Sequence, residues 1–177
     1  MSDIPEAFPD PPRRQFVESM ALALEAAGLP RLAGRCLAWL LICEPPTQSL
    51  GEIAATLGAS KGAVSQMVRL LAERGLIERV PTPHPRRDYY RFKPGGWVTY
   101  LQQWLEHLRT LHALSEQGLT LLSAPTPESQ QRLLEAHDLF SALEARLPAV
   151  FADIEAARRA RQGAADPLHP LSSAAEV

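Results

Sequence analysis

Two short amphipathic segments in the middle of the chain carry its clearest hydrophobic pattern. The first segment has apolar residues at helical spacing, namely Leu50, Ile53, Ala54 and Leu57. Ser49 and Glu52 fit a capping box at its start, and Gly58 fits the left-handed turn after its end. The pattern predicts a helix that begins at Leu50 and stops before Gly58.

The second segment follows after a brief turn. Ser60 fits an N-cap, so a helix is predicted over residues 61–74, ending at Gly75. Its apolar face comprises Val64, Val68 and Leu71, with Met67 at the edge. Its opposite face comprises Lys61, Gly62, Ser65, Gln66 and Arg69. Such a face suits DNA, because small residues permit close approach, arginine pairs with guanine and glutamine pairs with adenine. An ordinary polar surface is the alternative for this helix alone.

Two strand-like runs, residues 76–80 and 88–92, come next and are rich in β-branched and aromatic side chains. The segment between them holds three prolines and the basic residues His84, Arg86 and Arg87. Prolines reduce the entropy lost on ordering a loop, so this hairpin resembles a stiff wing that presents basic groups to phosphates or to a minor groove. A surface hairpin whose arginines serve only solubility is the alternative.

The charge distribution favours the DNA interpretation. From Ser60 to Lys93 the chain carries eight Lys and Arg against three Asp and Glu, a local charge of +5. The whole chain, in contrast, has a net charge of −2 and a pI near 6.2. Positive charge concentrated in one segment of an acidic molecule is typical of a DNA-contacting face. We therefore expect Ser60, the polar helix face and the three basic wing residues to bind DNA.

The segments before this motif predict further helices. Residues 1–12 are expected to be disordered, and residues 13–27 form an amphipathic helix that a glycine closes. Residues 30–43 form a second helix, begun by one proline and stopped by a pair of prolines. Residues 47–48 add a short third strand beside the wing. We expect one winged helix-turn-helix domain over residues 13–93.

Two long helical segments follow, and each carries a heptad-like apolar seam. Thr126 and Pro127 fit the start of the second helix, which Pro148 is expected to break or kink. A single chain would leave parts of these apolar seams exposed to water, whereas a symmetric dimer buries them in one interface. Residues 94–162 are therefore predicted to form a dimerisation stem. The expected interface residues are Trp97, Leu101, Trp104, Leu108, Leu111, Phe140, Leu143 and Leu147. Residues 163–177 are expected to be disordered.

Composition places the chain among ordinary globular proteins. Its 177 residues are 46% hydrophobic and 21% charged, which is enough for one sizeable core. Its apolar runs fall short of the roughly 18 residues that span a bilayer. Its start is acidic and proline-rich, which differs from a secretion signal. We expect a cytoplasmic protein without membrane contact.

Candidate catalytic and metal-binding residues are sparse. Cys36 and Cys43 lie about 10 Å apart along one helix, too far for a disulfide, so buried free thiols are expected. His107 and His112 point about 140° apart on one helix. His137 belongs to another helix, so a metal site would require a tertiary coincidence. The sequence thus predicts no catalytic residue, no metal and no cofactor.

Three stretches, residues 28–35, 49–65 and 71–79, resemble the GbsR-type branch of the MarR-like winged helix-turn-helix transcriptional regulators. Gly34 and the run from Ser60 to Ser65 are the most branch-like features. The resemblance implies a homodimeric, cytoplasmic, prokaryotic regulator, commonly a repressor that a small-molecule effector relieves.

Taken together, the sequence predicts a mainly α-helical protein with a small β-hairpin wing, in which long dimerisation helices follow the winged helix-turn-helix. The predicted function is a homodimeric, sequence-specific regulator that binds double-stranded DNA and occludes a promoter. Two other classes stay open. The winged helix is a protein-interaction module if it does not bind duplex DNA, and the stem alternatively holds a metal-binding or catalytic bundle.

Overall fold

The computed structural model describes residues 10–81, 88–122 and 126–165. Within those ranges the chain is mainly helical with one small antiparallel sheet, as the sequence predicts. The elements are α1 (Pro11–Ala26), α2 (Arg31–Ile42), β1 (Gln48–Ser49), α3 (Leu50–Leu57), α4 (Lys61–Glu73), β2 (Ile77–Val80), β3 (Tyr89–Phe92), α5 (Gly96–Leu121) and α6 (Pro127–Ala165). They fall into two compact units, Met1–Tyr100 and Leu101–Val177.

Helix α1 begins two residues earlier than the sequence pattern suggests. Asp10 is its N-cap, and the Asp10 carboxylate accepts a hydrogen bond from the backbone amide of Arg13 at 2.7 Å. Pro11 occupies the first helical position, where a proline loses no hydrogen bond. Asp10 therefore caps the helix and residues 11 and 12 belong to it, so the expected disordered lead does not extend to residue 12.

Helices α1 and α2 approach each other closely at two small residues. A Cβ added to Gly34 would lie 3.0 Å from the Cα of Ala21, which is backbone and cannot rotate away. Beside this contact the Arg35 guanidinium donates to the Glu18 carboxylate at 2.8 Å. Gly34 thus sets the separation of the two helices.

The core of the first unit joins α2, α3 and α4 to the sheet. Its largest fully buried side chains are Leu37, Ile53, Leu71, Leu76, Ile77, Val17, Val64, Val68 and Cys36. Burying one such aliphatic side chain stabilises the fold by about 1.5–3 kcal/mol. Because α4 contributes three of these residues from one face, its other face is left toward solvent.

The sheet has the strand order β1-β3-β2, with antiparallel pairing throughout. Gln48 pairs with Tyr90, and Ile77 pairs with Phe92. Each strand lies within one residue of its predicted position. Ser49 ends β1 and also caps α3, so the edge strand leads directly into the first helix of the motif.

The second unit contains most of α5 and the whole of α6. Thr126 caps α6, since its Oγ1 accepts a hydrogen bond from the Ser129 amide at 3.2 Å. Leu105, Leu108 and Phe151 are its buried apolar side chains within the described residues. No helix in those residues is long and apolar enough to cross a membrane.

Helix α6 runs through Pro148 as one helix to Ala165. The break that Pro148 suggests is therefore absent, and the helix continues three residues past its expected end. The Pro148 nitrogen carries no hydrogen, so the helical bond from residue 148 to the Glu144 carbonyl cannot form. The remaining bonds of this long helix, on both sides of the proline, sustain it despite that loss.

Candidate nucleic-acid interface

The turn between α3 and α4 is fixed by hydrogen bonds at both helix starts. The Ser49 amide donates to the Glu52 carboxylate at 2.6 Å, and the Glu52 amide donates to Ser49 Oγ at 3.3 Å, which is the predicted capping box. Gly58 ends α3 in the left-handed conformation, with φ at 61°. Ser60 Oγ then accepts from the Ala63 amide at 3.2 Å. These local contacts set the direction in which α4 leaves the turn.

Helix α4 has the two faces that the sequence predicts. Val64, Val68 and Leu71 are buried. The residues expected to face DNA are accessible: Ser60, Lys61, Gly62, Gln66 and Arg69 are exposed, and Ser65 is half-buried. A Cβ added to Gly62 would meet nothing within 4 Å, so the space in front of this turn is open. The structure brings these polar side chains together on one accessible face.

The β2–β3 hairpin carries charges that pair with each other. Glu78 and Arg91 are cross-strand neighbours, and the Arg91 guanidinium lies 2.7 Å from the Glu78 carboxylate. Arg79 forms a second ion pair with Asp88. Each pair joins one cation and one anion of this segment, so the net charge of +5 is unchanged and is carried by the remaining basic residues. The expected wing residues His84, Arg86 and Arg87 lie outside the described residues.

Tyr90 connects the hairpin to α4 electrostatically. Burial raises the pKa of Tyr90, the negative charge of Asp88 raises it further, and the positive charges of Arg79 and Arg69 oppose the rise. Arg69 belongs to α4, so a charge on the polar face of α4 acts on a side chain of β3. Sequence patterns gave no sign of this coupling.

Comparison with known proteins identifies the family. Residues 27–88 match the MarR family, and residues 95–157 match a family described as MmpR5-like MarR family transcriptional regulator. The HTH-type transcriptional regulator MmpR5 of Mycobacterium tuberculosis (strain ATCC 25618 / H37Rv) is 37% identical over 135 residues, covering 76% of this chain and 82% of that protein. The chain belongs to the MarR family.

A solved structure supports the same assignment. The crystal structure of a transcriptional regulator, 34% identical in sequence, matches with a TM-score of 0.71 and covers 82% of this chain and 99% of that one. This MarR-family chain is accordingly a DNA-binding transcriptional regulator and not an enzyme. In the winged helix fold of this family, α3 and α4 form the helix-turn-helix, and β2 and β3 form the wing.

The residues expected at the dimer interface of this MarR-family chain differ in exposure. Trp97, Leu101, Trp104 and Leu111 are 36–49% exposed. Phe140, Leu143 and Leu147 are half-buried. Leu108 is only 4% exposed, so it is already buried within the single chain. The four more exposed residues have surface that a partner subunit could cover, whereas Leu108 has almost none.

Two predictions about side-chain chemistry meet different outcomes. Cys36 and Cys43 are free and buried, as predicted. His112 and His137, which the sequence assigned to separate helices and to no site, lie side by side with their ring centroids 4.9 Å apart. Only the packing of α5 on α6 reveals that proximity.

Proposed function

We propose that this regulator is a homodimer that recognises a specific operator by placing α4 of each subunit in the major groove. The observation that carries the proposal is the accessible polar face of α4, which stands opposite three buried apolar residues of the same helix. Because its buried residues fix α4 in the fold, the exposed face of α4 loses little conformational entropy when it binds DNA.

Side chains on that face fit base edges. Arg69 has the forked guanidinium that pairs with guanine, and Gln66 has the amide that pairs with adenine. Gly62 and Ser65 add little bulk, so the helix backbone approaches the bases closely. Ser60 and Lys61 lie at the N-terminal end, where backbone amides and a positive charge favour a phosphate.

The wing supplies contacts outside the major groove in this proposal. Its sequence places His84, Arg86 and Arg87 next to each other among prolines. Since Arg79 and Arg91 are held in ion pairs, the wing arginines and Lys61 carry the charge that meets phosphates. We assign to the wing a sequence-independent share of the affinity.

Dimerisation follows from the apolar surface of the second unit. Leu101, Trp104 and Leu111 are each more than 40% exposed in the single chain. A monomer seldom leaves apolar side chains of this size together in water, and a symmetric pair covers both copies at once. Two reading heads about 34–36 Å apart then match half-sites one turn of DNA apart.

Repression is proposed as steric occlusion of a promoter, relieved by a small-molecule effector, in a cytoplasmic protein that acts where the chromosome lies. This part rests on the resemblance to GbsR-type members of the family, which Gly34 and the run from Ser60 to Ser65 support. Membership of the GbsR-type branch is a hypothesis, whereas the match to the MmpR5-like family is observed.

Selection from a pool of random duplexes, followed by fluorescence anisotropy, tests the function. We expect an inverted-repeat sequence to emerge and to bind at least about 10³-fold more tightly than its scrambled control at matched salt. Analytical ultracentrifugation should find two subunits per duplex. Equal affinity for selected and scrambled duplexes, or no duplex binding at all, would favour a protein-interaction module instead.

A further inference from the structure

Two histidines from different helices of the second unit meet next to a glutamate. His112 lies on α5, His137 lies on α6, and Glu116 stands one turn after His112. The Glu116 carboxylate oxygen Oε1 is 3.9 Å from Nε2 of both imidazoles. The three candidate ligand atoms all lie within 4.8 Å of one another. The arrangement brings two nitrogens and one oxygen into one small cluster.

The Nδ1 atom of each imidazole is hydrogen-bonded to a carboxylate. His112 Nδ1 lies 2.9 Å from a carboxylate oxygen of Glu144, and His137 Nδ1 lies 3.1 Å from one of Asp138. An ionised carboxylate only accepts hydrogen bonds, so each Nδ1 is the donor. In the neutral ring the lone pair is then on Nε2, which is the nitrogen that faces Glu116.

His112 Nε2 is a buried polar atom that lacks a hydrogen-bond partner among the described residues. Its distance to Glu116 Oε1 is too long for a hydrogen bond. Leaving a buried acceptor unsatisfied is costly, and such atoms are rare in folded proteins. A ligand that accepts the Nε2 lone pair would remove that cost.

We propose that His112, His137 and Glu116 bind a divalent d-block cation, with Zn²⁺ as the representative ion and water in the fourth position. Ligand atoms about 2.0–2.1 Å from a tetrahedral zinc ion lie about 3.4 Å from each other. Each 3.9 Å separation must shorten by about 0.5 Å, and the ligand nitrogens of the two histidines, which lie within 4.8 Å of each other, must also close toward about 3.4 Å. The Glu116 side chain is 60% exposed and has the freedom to adjust.

The donor set selects among metals. Two imidazoles with one carboxylate suit Zn²⁺, Co²⁺, Ni²⁺ and Cu²⁺, whereas Mg²⁺ and Ca²⁺ prefer oxygen ligands alone. The Glu144 and Asp138 carboxylates correspond to the outer partners that orient histidine ligands and increase their basicity. Binding would also tie α5 to α6, because each helix supplies a ligand.

Cobalt titration tests the site directly in the full-length protein after treatment with a chelator. We expect one Co²⁺ per chain, visible d–d absorption of a four-coordinate ion and no thiolate charge-transfer band. Added Zn²⁺ should abolish the absorption by displacement and should raise the thermal unfolding temperature. None of these measurements involves DNA, so the result is independent of the proposed operator binding.

Matched variants separate this site from adventitious binding. His137→Ala and Glu116→Gln should each abolish the cobalt spectrum while circular dichroism shows an intact fold. His107→Ala is the control: this exposed histidine lies on α5, and its Nδ1 lies 2.8 Å from the Gln103 carbonyl of its own helix. Glu144→Gln should weaken Zn²⁺ binding by about 10–100-fold. The proposal is overturned if wild type binds no Co²⁺, or if His137→Ala binds it as wild type does.

Discussion

Gly34 and Gly62 are both helical glycines, yet only Gly34 is confined. A Cβ at residue 34 would lie 3.0 Å from the Ala21 backbone, whereas one at residue 62 would touch nothing within 4 Å. We expect Gly34→Ala to lower the free energy of unfolding by about 1–3 kcal/mol, because α1 must move away from α2. Gly62→Ala should leave it unchanged or raise it by up to about 1 kcal/mol. Urea unfolding of both variants checks this, and an equal response of the two would contradict the close approach.

The two cysteines are predicted to be unreactive in the native protein. Burial raises the pKa of Cys36 to about 12 and that of Cys43 to about 11, from a usual 9.0. Only the thiolate reacts, so a disulfide reagent should label both residues far more slowly in native protein than in urea at pH 8. Fast native labelling would contradict the burial of the thiols.

The same pKa shifts make stability depend on pH. Both folded-state pKa values lie above the unfolded value of 9.0, so the contribution of the thiols is complete below pH 9. It is lost as the pH rises toward about 11–12, since the unfolded thiols ionise first. A Cys36→Ala, Cys43→Ala double variant should lose less stability between pH 8 and pH 10 than wild type.

Single residues also show which contacts a sequence reveals. Ser49 and Glu52 are three apart, so their capping box is predictable from local spacing alone. The pairing of Arg91 with Glu78 depends on the strand register, which the sequence does not specify until the turn is known. The net charge of +5 already counts Glu78 and Asp88, so the part that the sequence does not show is which arginines these two carboxylates hold.

At the scale of elements, the recognition surface of α4 predicts a clear separation of binding from folding. Arg69 is exposed, so Arg69→Ala should leave the unfolding curve unchanged while weakening specific duplex binding by about 1–3 kcal/mol. Arg14→Ala is a matched control, since Arg14 is an exposed arginine on α1. Anisotropy with selected and scrambled duplexes measures both. Wild-type affinity in Arg69→Ala at matched salt would remove Arg69 from the interface.

Most elements were predictable because caps, glycines and prolines mark their ends. The exceptions are the start of α1 and the continuation of α6 through Pro148. Asp10 and Pro11 form a start signal, but the nearby prolines and acidic residues gave the segment the composition of a disordered lead. Pro148 argues for a local break, whereas the many hydrogen bonds of the surrounding helix decide the outcome.

At the scale of the whole molecule, the exposed apolar residues predict how the dimer is disrupted. Trp104 is 49% exposed, so Trp104→Glu should yield a folded monomer with reduced operator affinity. Leu108 is buried within one chain, so Leu108→Glu should unfold the second unit instead. Ultracentrifugation and circular dichroism distinguish the two results. Gln102→Glu, an exposed change on the same helix, controls for added charge.

A monomeric wild type at micromolar concentration would contradict both the dimer and the two-half-site mechanism.

The histidine cluster illustrates why tertiary features escape sequence analysis. His112 and His137 lie on helices separated by a connecting segment, and no spacing rule relates positions across it. Only the register in which α5 and α6 pack brings their rings together.

Pro148 has a consequence for local motion. The missing hydrogen bond to the Glu144 carbonyl weakens one turn of α6, so that turn opens at lower free energy than its neighbours. Amides near Glu144 should exchange with deuterium faster than those elsewhere in the middle of α6. The Glu144 side chain also holds His112 from the other helix. An ion bound through His112 would restrain this turn, and exchange at Glu144 would then slow in proportion to the occupancy of the site.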